Sequence, residues 1–600
     1  MGKKENLLIF LKNKFIRIVN SPYLENPRFI IFLIIVSYLL VVFIRFILFS
    51  LFTETCANGD EYLYKGMALS FFKYGNFFEL NFARNSEMTY FLYPLIISPA
   101  FYFGENFYIF IKLINSFLIN LSIFPVFLLA KEFMSYKKAY FTSLMVLLIP
   151  FLNIGYVAMR ESLFLPLFLI TFYICYKLFV NLKLKYAFLS GFSMSLLILT
   201  KITGIFLIIT FILTVAVIQF LPKERAHRRK ILYLSIISIS CLIVSVYILK
   251  LIFLNNTGLV LRSLPGSGVK RIFNFSKFDF SFLLKAIYMI LSHISTFLML
   301  YLLPFFISVF SLIKAIKMKK IGEYMALLMG LIFSLVMFVF ILWRTFHYPT
   351  WVIEFKLVGR YYFMIYPIYI IVFAGFYNKI DWNKRQKIII TISFLLTLII
   401  NVFIFIPKIV LSRKVFGAMA NMDVIWIYSS FLRWGRFGKA LFIMVQIVSL
   451  FMLLYYLFRN SKRIYPFFVF FLIIVIISNY AILMKMSGIN ERMLKFRKNY
   501  LSFVRAKIPE HSQNVALISS KKPFMRGYFS FWLHYDYTNN TRFRLPESEI
   551  VTKDMLPEGT QWVLVEGDYK IGFPFKAIYK KGKYTIVQIP PKIHDVKKPK

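Results

Sequence analysis

Apolar runs of about 20 residues recur along the chain and alternate with short polar stretches, the pattern of helices that cross a bilayer. Residues 1–28 are rich in Lys and Arg and are predicted to be cytoplasmic by the positive-inside rule, so the first helix points outward. The apolar runs predict a polytopic α-helical membrane protein with about 13 spans. They lie near 29–52, 107–130, 139–157, 162–180, 186–200, 203–221, 231–254, 284–313, 322–343, 359–378, 388–408, 438–458 and 464–486.

One apolar run, Tyr90 to Gly104, is short and is interrupted by Pro94 and Pro99, which favours a re-entrant or interfacial segment over a span. Leaving it out of the count places a basic cluster at the end of each even-numbered span, which is the cytoplasmic side. Counting it would put all of these clusters outside. They are Lys131, Lys137 and Lys138; Lys183 and Lys185; Lys223, Arg225, Arg228, Arg229 and Lys230; Lys314, Lys317, Lys319 and Lys320; Lys379, Lys384, Arg385 and Lys387; and Arg459, Lys462 and Arg463.

The odd number of spans places the C-terminus outside the membrane, and the composition changes there. Hydrophobic density falls after about Gly488, and strand-like runs follow at 514–519 and 562–566, with a hairpin predicted over 575–589 that turns at Lys581-Gly582-Lys583. The chain therefore divides into a cytoplasmic N-terminus (1–28), a transmembrane module (29–486) and a small extracytoplasmic α/β domain (487–600).

Composition agrees with this class. The chain has 59% hydrophobic and 20% aromatic residues and a mean hydropathy of +0.70, which excludes an ordinary globular protein. Its net charge of +46 comes largely from the basic clusters that set topology, so we expect a lipid bilayer and no nucleic acid as partner. The three cysteines imply no disulfide framework.

Two adjacent carboxylates, Asp60 and Glu61, follow the first span, in a first external loop predicted at 53–106. From Leu63 the apolar positions recur with helical spacing, which predicts an amphipathic helix lying flat in the interface, with Glu61 and Lys65 away from its apolar stripe. Such a helix would hold Asp60 at a fixed depth, which suggests chemistry at the membrane surface. The alternative is structural: Asp60 caps the helix and Glu61 complements its dipole.

Cations are abundant in the segments predicted to be external, against the positive-inside tendency. A surplus of cations on that side indicates an anionic ligand, and at a membrane surface a lipid phosphate is the natural candidate. The alternative for Lys201 and Arg360 is that they anchor helices by reaching the membrane edge. The external cations are Arg84, Lys201, Arg262, Lys270, Arg271, Arg344, His347, Lys356 and Arg360.

Five motifs over about residues 29–380 resemble the C-type (GT-C) membrane glycosyltransferase superfamily, most closely its protein O-mannosyltransferase and aminoarabinose lipid A transferase branch. They occur in that family's order and share its topology. They are Asp60-Glu61; Tyr93-Pro94-Leu95 with Ser98-Pro99-Ala100 and Phe103-Gly104; Glu161-Ser162-Leu163; Gly191-Phe192-Ser193 to Leu199-Thr200-Lys201 with Thr203-Gly204; and Gly359-Arg360-Tyr361-Tyr362 with Pro367.

The resemblance implies an inverting transfer of a hexosyl or pentosyl group from a polyprenyl-phosphate donor to a hydroxyl of a lipid, glycan or protein of the cell envelope. Asp60 would be the catalytic base, with Glu61 as the second candidate, and Glu161 would orient the acceptor or bind a metal. A divalent cation stays possible. The donor phosphate would be bound by Arg360, Lys201, Arg344, His347 and Arg84, and substrate would also contact Tyr93 and Tyr361.

A transporter or flippase for polyprenyl-linked glycans, or a ligase that transfers an oligosaccharide, is the alternative function. A transporter is expected to contain internal repeats and charges near the bilayer midplane. The sequence shows no such repeat, and the predicted external charges gather at one face, which favours an enzyme.

Overall fold

The structure is a computed structural model. It describes residues 22–52, 59–77, 90–220, 225–254, 280–347, 364–380 and 382–400. Beyond these it describes short C-terminal segments, namely 502–509, 515–519, 541–543, 550–551, 560–566, 570–581 and 584–590, together with isolated positions.

The first span is helix α1, Pro27–Ser50, and its start is set by local chemistry. Oδ1 of Asn26 accepts hydrogen bonds from the backbone N–H groups of Arg28 (2.9 Å) and Phe29 (3.5 Å), which satisfies two donors that a helix start leaves open. Pro27 occupies the first helical position, where its missing N–H costs nothing. The predicted start near residue 29 is therefore confirmed within two residues.

The following helices occupy most of the predicted spans. Some predicted spans are divided: α4 and α5 share the run 107–130, and α6 is followed by a 3-10 segment, Pro150–Tyr156, within the run 139–157. The bounds are α2 Gly59–Tyr74, α3 Leu92–Ile97, α4 Phe107–Asn120, α5 Ile123–Ala130, α6 Tyr136–Leu147, α7 Glu161–Asn181, α8 Leu184–Thr200, α9 Ile205–Phe220, α10 Arg225–Leu254, α11 Phe280–Lys317, α12 Ile321–His347, α13 Ile365–Phe376 and α14 Lys384–Ile400.

Six helical stretches among the described residues are long and apolar enough to cross a membrane. They lie at Pro27–Ser50, Leu92–Ala130, Glu161–Asn181, Ile202–Phe220, Ala226–Leu254 and Gly322–Trp343, and they make this chain an integral membrane protein. The predicted spans at 438–458 and 464–486 lie outside the described residues. The number 13 and the orientation of the termini therefore stay predictions.

The proline-interrupted run before α4 is not a continuous helix. It consists of α3 and a 3-10 segment, Ser98–Asn106, with a kink at Phe103 and Gly104, where Gly104 has φ 55° and ψ −130°. Glycine reaches this positive φ without the steric penalty that a Cβ would bring. The kink separates this segment from α4 and gives it the broken form that its prolines predicted.

Near the C-terminus the described strands form a five-stranded sheet in the order β2-β1-β4-β7-β6. Its strands are β1 Val515–Ser519, β2 Thr541–Phe543, β4 Trp562–Glu566, β6 Ala577–Lys581 and β7 Tyr584–Gln588, and a separate parallel pair joins β3 Ile550–Val551 to β5 Lys570–Ile571. Strand β1 is parallel to β2 and β4, whereas β7 is antiparallel to β4 and β6. The predicted hairpin is confirmed, because Lys581 pairs with Tyr584 across the turn.

Successive side chains of β4 point alternately to the two faces of the sheet, and both faces are buried. Val563 and Val565 pack in a small apolar core of the sheet's own, while Trp562 and Leu564 join the large core of the helical module. A short helix before the sheet, α15 Ser502–Lys507, reaches the segment between α3 and α4 through an ion pair between Arg505 and Glu105 at 3.3 Å. The C-terminal segment therefore packs at the end of the bundle where α4 begins.

Candidate functional site

Helix α2 begins where the sequence placed the paired carboxylates, and Asp60 lies in its first turn. The helix prediction is confirmed, but burial is not confined to the apolar stripe that begins at Leu63. Residues 61–70 are all buried, and the charged side chains of Glu61 and Lys65 are 0% exposed. The reason is tertiary: α3 and the 3-10 segment 98–106 pack against α2. The side chain of Asp60 is not among those described.

The Glu61 carboxylate is held from several sides. Its Oε1 accepts a 2.5 Å hydrogen bond from the Tyr108 hydroxyl of α4 and a longer one, 3.5 Å, from the backbone N–H of Ala158. The Lys65 ammonium lies 3.6 Å from the same oxygen, one helical turn along α2. Burial raises the pKa of the Glu61 carboxyl, and the charge of Lys65 and the hydrogen bond from Tyr108 partly offset that rise.

The Tyr108 ring contacts the ammonium groups of two buried lysines, Lys65 and Lys112. Its centroid is 4.8 Å from the ammonium of Lys65 and 4.4 Å from that of Lys112, distances at which an aromatic ring attracts a cation. Lys112 also faces the ring of Tyr156 at 4.9 Å and donates a 3.0 Å hydrogen bond to the carbonyl of Phe49, in the last turn of α1. These contacts join α1, α2 and α4.

Sequence reasoning missed Lys112 and Tyr108, although one signal pointed to the first of them. Lys112 is a charged residue inside an apolar run predicted to span the membrane, and such residues are rare enough to mark a functional or structural centre. Tyr108 carried no comparable signal, since tyrosine is common at membrane interfaces.

Asn115, also on α4, holds the segment that leads into α7. Its side-chain amide donates to the carbonyls of Gly155 (3.1 Å) and Val157 (2.8 Å), and its Oδ1 accepts from the hydroxyl of Tyr93 (2.9 Å). Tyr93, predicted to contact substrate, is 0% exposed in this structure and uses its hydroxyl for Asn115.

Glu161 and Lys201 form one buried ion pair. The Lys201 ammonium lies 2.6 Å from Oε1 of Glu161, with side chains 4% and 1% exposed. The sequence assigned them to different partners, Glu161 to the acceptor or a metal and Lys201 to the donor phosphate. They meet because the start of α7, which is Glu161, lies beside the end of α8, which Lys201 directly follows. Beside them the Arg160 guanidinium stacks 4.8 Å from the ring of Tyr64 on α2.

The remaining predicted site residues are not placed at the level of side chains. Arg344 and His347 lie in the last turns of α12, where only the backbone is described, and Arg84, Arg360 and Tyr361 lie outside the described residues. Their roles stay predictions. In the described part of the chain no group of three or more His, Cys, Asp or Glu side chains is arranged to hold a metal ion.

Comparison with known proteins gives structural neighbours only. No family model matches the chain, and no curated protein matches it. Two similar solved structures are ArnT from Cupriavidus metallidurans bound to undecaprenyl phosphate (13% identity, TM-score 0.48) and the same protein in the apo state (12% identity, TM-score 0.46). Each comparison covers 94% of this chain and 99% of the other.

Proposed function

We propose that this chain is an inverting glycosyltransferase that moves one sugar from a polyprenyl-phosphate donor to an acceptor hydroxyl at the membrane surface. The observation that carries the proposal is the junction of two helix starts. Oε1 of Glu61 accepts from the N–H of Ala158, so the first turn of α2, which carries Asp60, is tied to the segment that opens α7 at Glu161. Two carboxylates far apart in sequence are thereby brought to one end of the bundle.

In the proposed reaction the acceptor hydroxyl oxygen attacks the anomeric carbon from the face opposite the phosphate. The bond between that carbon and the phosphate oxygen breaks, the phosphate leaves with the bonding electrons, and the hydroxyl proton passes to the carboxylate of Asp60. Glu61 is less accessible as a base, because its Oε1 already accepts from Tyr108 and Ala158 and its side chain is 0% exposed.

Cations placed in advance stabilise the charge that develops on the leaving phosphate. Lys201 is the candidate whose side chain is described, and Glu161 holds its ammonium in place from 2.6 Å. Arg360, Arg344, His347 and Arg84 complete the set of proposed phosphate ligands, and Tyr93 and Tyr361 the proposed substrate contacts. The reaction would take place on the extracytoplasmic face, with the N-terminus in the cytoplasm and residues 487–600 outside.

The test uses the full chain in lipid nanodiscs with a panel of undecaprenyl-phosphate-linked hexoses and pentoses. Release of undecaprenyl phosphate reports breakage of the donor bond whichever sugar or acceptor is used. We expect release with at least one donor, and a rate about 10²–10⁴-fold lower in Asp60→Asn, since an amide cannot accept the acceptor's proton. Asn has nearly the same shape as Asp, so an Asp60 with only a structural role in the first turn of α2 would leave the rate intact.

The alternatives give different results in the same system. A flippase would move a fluorescent undecaprenyl-phosphate sugar across the bilayer of proteoliposomes without releasing undecaprenyl phosphate, and that result would refute the proposal. A ligase would be inactive with every single-sugar donor and active with an oligosaccharide donor.

A further inference from the structure

Side chains bind two backbone carbonyls and one backbone N–H of the segment 155–158. Asn115 of α4 binds the carbonyls of Gly155 and Val157, and Glu61 of α2 binds the N–H of Ala158. This segment lies between the 3-10 turn that ends at Tyr156 and the start of α7 at Glu161, so its position is not set by a continuous helix. These side-chain contacts, together with the backbone hydrogen bonds of Val157 and Met159, set where α7 begins relative to α2.

Glu61 is the member of this set that touches both helix starts. It is next to Asp60 in the first turn of α2, and it reaches a backbone group three residues before Glu161. The Tyr108 hydroxyl, at 2.5 Å, directs the carboxylate, and the buried ammonium of Lys65 at 3.6 Å gives it an opposite charge. These three contacts are all made to Oε1, and together they fix the position of the carboxylate.

We propose that Glu61 is a positioning residue: its carboxylate, held by Tyr108, sets the separation between Asp60 and the Arg160-Glu161 start of α7. This inference rests on the proposed function for its effect on turnover. The geometry it describes can be measured without any substrate.

The experiment measures hydrogen exchange of the full chain in nanodiscs, in peptides covering 59–64 and 155–160, and the turnover of the most active donor from the panel. Tyr108→Phe removes the 2.5 Å hydrogen bond but keeps the ring that Lys65 and Lys112 face. Glu61→Gln keeps an oxygen that can accept from Tyr108 and Ala158, and Glu61→Met does not.

We expect exchange of 155–160 to rise by about tenfold or more in Tyr108→Phe and Glu61→Met, because loss of the contact lowers the cost of local opening. In the same variants kcat should fall by about 10²-fold with KM for the donor unchanged, since small misplacements of reacting groups are costly. Glu61→Gln should lie between these variants and the wild type in both measurements, which is rescue by the conservative substitution.

Ser116→Ala is the matched control. It removes a buried hydroxyl of the same helix, which bonds only within α4 to the carbonyl of Lys112 in the described contacts, and it leaves Glu61 untouched. If Glu61→Met does not fold because Lys65 is left buried without the carboxylate, Glu61→Met combined with Lys65→Met removes both charges and takes its place.

Two results would overturn the inference. One is exchange of 155–160 in Tyr108→Phe no faster than in Ser116→Ala. The other is Glu61→Gln as inactive as Asp60→Asn with unchanged exchange, which would make Glu61 a group that contacts the reacting atoms. If no donor of the panel is turned over by the wild type, the proposed function fails, and the exchange measurement alone decides the positioning role.

Discussion

At the scale of single residues, several buried cations of the described chain bind the ends of helices. Lys112 donates to the carbonyl of Phe49 near the end of α1, and Arg45 of α1 donates to the carbonyl of Leu147, the last residue of α6, and to Asn120. The last carbonyls of a helix have no partner within it and carry partial negative charge, so a cation inside an apolar bundle is stabilised there. A cation in a membrane span is therefore not by itself a ligand site.

The ion pair between Glu161 and Lys201 gives a prediction about stability that is separate from catalysis. Lys201→Met removes the ammonium that lies 2.6 Å from the buried Glu161 carboxylate and should lower the free energy of unfolding by about 3–5 kcal/mol. Glu161→Gln together with Lys201→Met removes both charges and should restore most of that loss. Thermal unfolding of detergent-solubilised monodisperse protein measures the effect.

The pair of Glu132 and Lys177 provides the control, because its 2.8 Å separation is similar while its side chains are 20% and 16% exposed. Lys177→Met should cost about 1 kcal/mol or less, as solvent screens a partly exposed pair. Equal losses for Lys177→Met and Lys201→Met would contradict the assignment of a tightly buried pair.

At the scale of elements, the close packing of α8 against α10 explains why position 191 is a glycine. An added Cβ at Gly191 of α8 would lie 2.3 Å from the carbonyl oxygen of Ser238 and 2.7 Å from Cβ of Cys241, both on α10. Ser190 and Ser238 also share a 2.7 Å hydrogen bond between their hydroxyls. Small residues of this kind let two helices approach closely in a membrane, where the hydrophobic effect does not drive them together.

Gly191→Ala should therefore push α8 and α10 apart and cost about 1–3 kcal/mol in spite of the better helix propensity of alanine. Gly322→Ala on α12 is the control, because its Cβ would meet the Tyr176 hydroxyl at an ordinary 3.4 Å. The midpoint of thermal unfolding should fall in the first variant and stay within error in the second. A fall in both, or in neither, would remove the close approach as the cause.

At the scale of the whole molecule, the described parts of three segments predicted to lie at one membrane face meet: the first external loop, the start of α7 and the end of α8. The Arg160 guanidinium lies over the Tyr64 ring and joins the start of α7 to α2, and the ion pair of Glu161 with Lys201 joins it to the end of α8. Arg505 before the sheet contacts Glu105 before α4. The C-terminal sheet is thus at the same end of the bundle as the candidate site. This arrangement supports the proposal that residues 487–600 lie on the same side of the membrane as Asp60.

Reporter fusions test that arrangement directly. A reporter after Lys600 should be extracytoplasmic, and one inserted between Pro222 and Lys230 should be cytoplasmic, since that basic cluster follows an even-numbered predicted span. Protease protection in sealed vesicles of known orientation provides the measurement. Finding both reporters on one side would refute the 13-span topology.

The sequence by itself determined the features that depend on local pattern. Runs of apolar residues long enough to cross a bilayer predicted α1, α7 and α9, and the alternating residues around Lys581-Gly582-Lys583 predicted the hairpin of β6 and β7. The start of α2 beside Asp60 was also readable, because the helical spacing of its apolar residues is local.

Only the tertiary structure decided which faces are buried and which charges meet. Inside a membrane protein apolar side chains face both lipid and neighbouring helices, so periodicity cannot separate the two environments. Glu61 and Lys65 are buried because α3 and the segment 98–106 cover α2, and Glu161 finds Lys201 because the ends of α7 and α8 meet. The packing on α2 and the pairing of Glu161 with Lys201 each bring together residues that are far apart in the chain, so a short stretch of sequence cannot show either of them.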